Sequence, residues 1–249
     1  MLKNINRIGI IIREQIIRFF WPEICPFCGK ASVVGICSAC RKKLEHLKID
    51  DPRCMKCGKP VRYFRQEYCY DCEHTHHYYD RGVALWIHKE PVSQSIYRFK
   101  FHNQRGFAKY YAEEVEVRLK KDIQRWNPDF IIPIPLYSGK MRKRGFNQAE
   151  VFAKELENFL GIPVYGEILT RTKHTKPQKT LGSKERKNNL QGAFVVSDAK
   201  MAALLSGKTV LLIDDIYTTG STIDAAAQIL KRAGAEKVYY LTISIGQGY

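Results

Sequence analysis

The sequence predicts an α/β protein: a parallel sheet with flanking helices, preceded by a small metal-held module. Three observations carry this reading. All eight cysteines fall in four Cys-x-x-Cys units between Cys25 and Cys72. From Arg81 onward, short apolar runs alternate with stretches of helical periodicity, the pattern of strands and crossover helices in a parallel sheet. Late in the chain, Thr209-Val-Leu-Leu-Ile runs into Asp214-Asp215 and then a turn of small hydroxylated residues. At 249 residues, 45% apolar and 27% charged, the chain has globular composition and room for one large or two smaller domains. No stretch approaches the ~18 uninterrupted apolar residues of a membrane span. The formal net charge of +16 favours polyanionic partners such as nucleic acid, phosphorylated metabolites or an anionic membrane face. Two zinc ions held by eight thiolates would reduce it to about +12.

Residues 1–22 read as an amphipathic helix. Ile5, Ile8, Ile12, Ile16 and Phe19 recur at helical spacing, with Lys3, Arg7, Arg13 and Arg18 among them, and Pro22 stops the pattern. Such a helix can lie on a membrane surface or dock on its own protein, and both readings stay open. Its longest apolar run ends at Arg13-Glu14 with no small-residue cleavage site after it, so it is not read as an export signal.

Residues 23–78 are the metal module. Two thiolates two residues apart can meet one metal from a tight turn, and two such turns complete the tetrahedral sulfur shell that zinc prefers. The gaps between units are 8, 13 and 11 residues. Sequential ligation closes the shorter loops. It assigns Cys25, Cys28, Cys37 and Cys40 to one ion, and Cys54, Cys57, Cys69 and Cys72 to the other. A crossed pairing stays open. Neither set offers a vacant position, so the zinc is read as structural. Reduced thiols and no export signal agree with a cytoplasmic location. His74, His76 and His77 follow shells that are already full, and the chain from there to about Asp80 reads as a solvated linker.

Residues 81–249 form the second domain. Strands are expected at 82–87, 130–134, 209–213 and 238–245, and helices at 108–121, 148–160 and 221–232. Gly234 closes the last helix. In such a sheet, ligands bind beyond the carboxyl ends of the strands. There, hydroxyls and backbone N–H groups at a helix start form an anion nest, and paired carboxylates can meet ribose hydroxyls or hold magnesium through water. The basic loop Tyr137-Ser138-Gly139-Lys140, followed by Arg142, Lys143 and Arg144, suits a ligand of high negative charge or plain solvation. Segment 170–187 carries seven cations against Glu185 and no apolar period, and reads as a mobile loop. It suits grip on a nucleic-acid backbone or plain solvation; closure over a substrate is what the resemblance described below implies for it. Tyr97-Arg-Phe-Lys-Phe-His102 alternates aromatic and basic residues. It suits base stacking with phosphate contacts, or a strand or helix end with its aromatics in the core.

The segment from Thr209 to Thr222 resembles the phosphoribosyl-pyrophosphate (PRPP) motif of type I phosphoribosyltransferases. That resemblance implies that Asp214 and Asp215 meet the ribose hydroxyls. It implies that Thr218, Thr219, Gly220, Ser221 and Thr222 hold the 5′-phosphate. It places the pyrophosphate on the loop after Ile131-Ile-Pro-Ile-Pro135, with magnesium as its companion. From about Ile24 to Ile245 the whole chain resembles the ComF family, a double zinc ribbon before a phosphoribosyltransferase-like domain. The matching segments are the four Cys-x-x-Cys units, Arg98-Phe-Lys100, Pro133 through Gln148, Thr175 through Phe194, and the acid-pair motif. The family resemblance implies handling of incoming single-stranded DNA during natural transformation, beside the uptake machinery at the inner face of the membrane. An active phosphoribosyltransferase with an unidentified acceptor is the alternative, and a scaffold whose pocket only binds is a third reading.

Overall fold

The computed structural model describes residues 23–172 and 192–247. The helix expected at 1–22 and most of the segment 170–187 lie outside the described residues. In chain order the elements are α1 (Ser38–Glu45), α2 (Tyr70–His74), β1 (Arg81–Ile87), α3 (Val92–Phe101), α4 (Phe107–Trp126), β2 (Phe130–Pro133), α5 (Ser138–Arg144), α6 (Gln148–Leu160), β3 (Leu169–Arg171), β4 (Phe194–Val196), α7 (Ala199–Leu205), β5 (Thr209–Tyr217), α8 (Ser221–Arg232) and β6 (Lys237–Ile245).

Strands β1, β6, β5 and β2 form one parallel sheet in that order, and β3 pairs with β4 as an antiparallel hairpin. Successive residues of β5 face opposite sides, so its continuous apolar run feeds two cores. Val210 and Leu212 meet Ile223, Ala226, Ala227 and Leu230 of α8. Leu211 and Ile213 share the other core with Tyr111 and Val115 of α4 and Phe152 and Leu156 of α6. Helix α6 has the bounds expected from its period. Asn147 caps it, accepting from the Ala149 N–H and donating to the Ile134 carbonyl, so the cap is tied to the chain just past β2. Helix α4 runs five residues beyond the expected end at 121, because Ile123 continues the buried stripe of Tyr111, Val115 and Leu119.

The cysteine module straddles β1. Phe27 lies edge-on to Trp86 at 5.3 Å on one side of the sheet. Cys54, Cys57 and Cys69 enter the opposite core with Tyr79 and Tyr240. Residues 47–48 run along the open edge of β1: the Ile87 N–H donates to the Leu47 carbonyl and Lys48 bridges Trp86. This pairing covers an edge that would otherwise offer itself to another strand. The stretch from His74 to Asp80 is only in part the solvated linker the sequence suggested: His74, Thr75, His76 and Tyr78 are exposed. His77 and Tyr79 are buried and stacked at 4.8 Å, and the Tyr78 N–H donates to Asp224 of α8. Aromatic rings after the last thiolates found apolar cover in the gap between module and sheet.

The fit between module and sheet depends on Gly82. A Cβ there would stand 2.0 Å from the ring of Tyr240, whose hydroxyl donates to the Cys57 carbonyl and which is fully buried. Gly82→Ala is expected to lower the thermal midpoint by roughly 3–10 °C, as overpacking costs about 1–3 kcal/mol. Calorimetry showing an unchanged midpoint would mean that the ring yields freely.

Candidate functional site

The acid pair sits inside β5, not beyond its end as the sequence suggested. The strand continues to Tyr217 because Ile216 and Tyr217 keep their register with Ser244 and Ile245 of β6. Consecutive strand residues point oppositely. Asp215 faces α3, where Lys100 Nζ stands 2.8 Å from its Oδ1. Asp214 accepts the Asp215 N–H and feels Arg171, the last residue of β3, as an attractive charge. Burial, then the charge of Asp215, pushes the Asp214 carboxyl up to about 7. Asp215 Oδ2 is buried without a hydrogen-bond partner.

Past Tyr217 the chain turns through Thr218, Thr219 and Gly220 into α8. Gly220 has φ +75°, a left-handed conformation that costs a residue with a Cβ. A Cβ there would also fall 2.3 Å from the Tyr217 hydroxyl. Thr219 and Ser221 hydroxyls share a 2.9 Å hydrogen bond at the helix start. Thr218 and Thr222 line the cleft beside the acid pair.

The expected basic loop after β2 is helical. Tyr137 N-caps α5, and the Lys140 and Met141 N–H groups both donate to its carbonyl. Cations in the last turn suit the helix dipole, which accounts for a helix where small and basic residues read as a loop. The helix sorts the cations by face. Lys140 and Arg144, four residues apart, line the cleft, whereas Arg142 and Lys143 are exposed. Ser138 and Gly139, in the first turn, do not line it. Arg144 donates to Gln148.

The cleft holds about 260 Å³ between the ends of β2 and β5. Its walls bring together Asp214, Asp215, Thr218, Thr222, Lys140 and Arg144 from the expected set. Lys100, Gln148 and Arg171 join them. Burial lowers the proton affinity of Lys140, Arg144 and Arg171, and for Lys140 the charge of Arg171 acts next. Four cations facing two acids make a cleft suited to a ligand of high negative charge. Arg171 belonged to the segment read as a mobile loop, but Thr170 and Arg171 lie in β3. Their strand pairs with Phe194 and Val195, which lie beyond that segment's end at Lys187.

The aromatic and basic segment 97–102 resolves into separate roles on α3. Phe99 is buried in the core. Arg98 donates to the Phe27 carbonyl at 2.7 Å and so ties α3 to the first cysteine cluster. Lys100 reaches the acid pair. Tyr97 and Phe101 stay exposed with rings 5.0 Å apart, and the Arg144 guanidinium lies 4.9 Å from the Phe101 ring. The exposed pair thus stands at the lip of the cleft.

The cysteines gather as sequential ligation expected. Cys25, Cys28, Cys37 and Cys40 form one set and Cys54, Cys57, Cys69 and Cys72 the other, with the sulfurs of each set within 4.8 Å of one another. None of the eight is in a disulfide. Cys28 and Cys37 sulfurs are 3.7 Å apart and those of Cys57 and Cys69 3.5 Å. A tetrahedral shell with zinc–sulfur bonds of about 2.3 Å puts sulfurs roughly 3.8 Å apart, so both sets fit structural zinc. Among the described residues no helix is long and apolar enough to cross a membrane.

Comparison with known proteins agrees with this arrangement. The double zinc ribbon domain family matches residues 16–73, and the phosphoribosyl transferase domain family matches residues 117–244. The chain is 34% identical to competence protein F of Haemophilus influenzae over 207 residues, 82% of this chain and 87% of that one. It is 29% identical to the DNA utilization protein YhgH of Escherichia coli K12 over 225 residues, 87% of this chain and 94% of that one. It is 27% identical to competence protein ComFC of Bacillus subtilis over 208 residues, 80% and 79% of the two chains.

Proposed function

The chain belongs to the family of competence protein F and ComFC, and from that premise we propose that it binds PRPP in the β5 cleft and handles single-stranded DNA on the cytoplasmic side during DNA uptake. The observation that carries the first half is Asp215 Oδ2, buried and without a partner, in a cleft of four cations beside a small-residue turn. An unpaired buried acceptor costs free energy that a ribose hydroxyl would recover. Asp214 and Asp215 would meet the ribose. Thr218 through Thr222 would hold the 5′-phosphate, and Lys140, Arg144 and Arg171 would face the pyrophosphate. Magnesium, bound with PRPP and held by the acid pair through water, would neutralise pyrophosphate charge.

The DNA half rests on the net charge of +16 and on the exposed Tyr97 and Phe101 rings at the lip. Bases can stack on such rings while cations meet phosphates. The uptake machinery at the inner membrane face is the partner that the competence relatives suggest. The test is a titration of labelled single-stranded DNA at two salt concentrations, with and without magnesium and PRPP. Binding that weakens with salt and shifts with PRPP is expected. No binding under any condition overturns the DNA reading and leaves a small-molecule site. The same cations favour a second reading, transfer: the bond from ribose C1′ to pyrophosphate breaks, one to the acceptor forms, and pyrophosphate departs to the basic wall. Its measure is pyrophosphate release upon adding candidate nucleobases or DNA.

A pH dependence follows from Asp214. Its carboxyl is raised to about 7 in the empty cleft, and a ribose hydroxyl donates best to the ionised form. PRPP affinity is therefore expected to rise with pH up to about 7, by at most tenfold per unit, and to level above it. The sign for stability is opposite. A carboxyl raised in the folded state costs stability on ionising, so the empty protein weakens as pH climbs from near 4 through 7. Titration of PRPP calorimetrically from pH 6 to 8 checks this. Asp214→Asn should bind weakly with only the shallow slope of the ligand's own phosphates; an unchanged slope would acquit Asp214.

A further inference from the structure

The second cysteine cluster carries an exposed aromatic turn that the cleft does not use. Arg62, Tyr63, Phe64, Arg65, Gln66 and Tyr70 line an open groove of about 730 Å³. Phe64 is 84% exposed, Tyr70 71% and Tyr63 69%. The turn does not need these rings to hold its shape. Gln66 ties it internally: its N–H donates to the Tyr63 carbonyl, its side-chain amide donates to the Tyr68 carbonyl, and its Oε1 accepts the Arg62 N–H. Val61 is buried at its base. A rigid turn thus presents large rings to water, which marks an interaction surface.

The charge around the rings says what the surface fits. Residues 53–66 include five cations, Arg53, Lys56, Lys59, Arg62 and Arg65, and no acid. Arg53 is bound to Asp122 and Lys59 to Asp71; Arg62 and Arg65 are the cations that directly bracket Tyr63 and Phe64 in sequence. Rings bracketed by arginines match the alternation of base face and phosphate along a single strand.

We propose that this turn of the second zinc ribbon is a separate contact for single-stranded nucleic acid, stacking bases on Tyr63, Phe64 and Tyr70 with Arg62 and Arg65 at the phosphates. The proposal rests on the DNA reading above and places part of that contact away from the PRPP cleft. The experiment uses the full zinc-loaded chain and a labelled oligothymidine strand. Tyr63→Leu/Phe64→Leu keeps apolar bulk but removes the π-faces. It is expected to weaken binding at least 10-fold, given ~1–3 kcal/mol per stacked base, with the salt slope unchanged. Arg62→Ala/Arg65→Ala is expected to reduce the slope of log affinity against log salt by about 1.4, from two lost phosphate contacts at ~0.7 each. Both variants should keep two zinc ions and wild-type PRPP affinity. If wild-type chain binds the strand and both variants bind it equally well, the turn is not a contact and the proposal falls. If wild-type chain binds no strand, the DNA reading falls, and this proposal with it. A ring variant that keeps the DNA but no longer sediments with anionic vesicles would reassign the turn to a membrane surface.

Discussion

Replacing Cys57 with serine is expected to reduce zinc from two ions per chain to one and to lower the unfolding midpoint far more than the same change at Cys28. Cys57 is fully buried, and its carbonyl accepts the Tyr240 hydroxyl. Its cluster shares a core with Tyr79, Tyr217 and α8. Tyr79 and Tyr217 hydroxyls are 2.7 Å apart, and the Tyr217 and Tyr240 rings stack at 4.9 Å. Losing a structural zinc removes on the order of 10 kcal/mol of folding free energy, comparable to the whole stability of a typical domain. The effect should also reach the cleft. Tyr217 lies against Gly220, at the centre of the phosphate turn. Cys57→Ser is therefore expected to weaken PRPP binding at least tenfold, whereas Cys28→Ser, at a partly buried thiol in the other cluster, reaches the cleft only through Phe27, Arg98 and α3 and should weaken it less. Zinc release, calorimetry and PRPP titration on the two variants decide the matter. Loss of both ions from either variant would contradict independent sites, and equal PRPP affinity in both would cut the link through Tyr217.

How much of this was legible depended on whether the signal was local. The cysteine spacing carried the metal sets, because ligands close in sequence close short loops. The strand core of β5 was also local, and α6 follows its period to the residue. What sequence pattern could not show was pairing across the chain. The acids lie within β5 because β6 extends alongside them. Lys100 reaches Asp215 from α3, whose buried face packs in the core and whose Arg98 is tied to Phe27, seventy-one residues earlier in sequence. Arg171 comes to the cleft on a hairpin whose second strand begins at Phe194. His77 and Tyr79 read as linker because nothing in their neighbourhood reveals the gap beneath the module that they fill.

Asp215→Asn is expected to weaken PRPP binding at least tenfold and to destabilise the ligand-free protein, and a second change at Lys100 should separate these effects. The Lys100–Asp215 pair is mostly buried, with side chains 17% and 6% exposed. An amide at 215 leaves the ammonium facing a neutral group. Breaking a buried pair from one side costs about 3–5 kcal/mol, although Asp214 nearby retains part of the attraction. For the ligand, losing a charged acceptor costs about 1.5–3 kcal/mol, or roughly 10- to 150-fold in affinity, before any loss of magnesium. Lys100→Met in the Asp215→Asn background removes the stranded charge while keeping an unbranched apolar stem. The double variant should recover stability but not PRPP binding, since the pair's cost is relieved and the acceptor is still missing. Lys100→Met alone removes the cation paired with Asp215 and leaves Arg171 as an attractive charge on Asp214, and Asp214 should then titrate higher still. Its pH midpoint for PRPP binding should move above about 7. Thermal unfolding of the four proteins gives the coupling energy directly. A coupling near zero would show that the pair is decorative in the empty cleft; a double variant that binds PRPP normally would remove Asp215 from the site altogether.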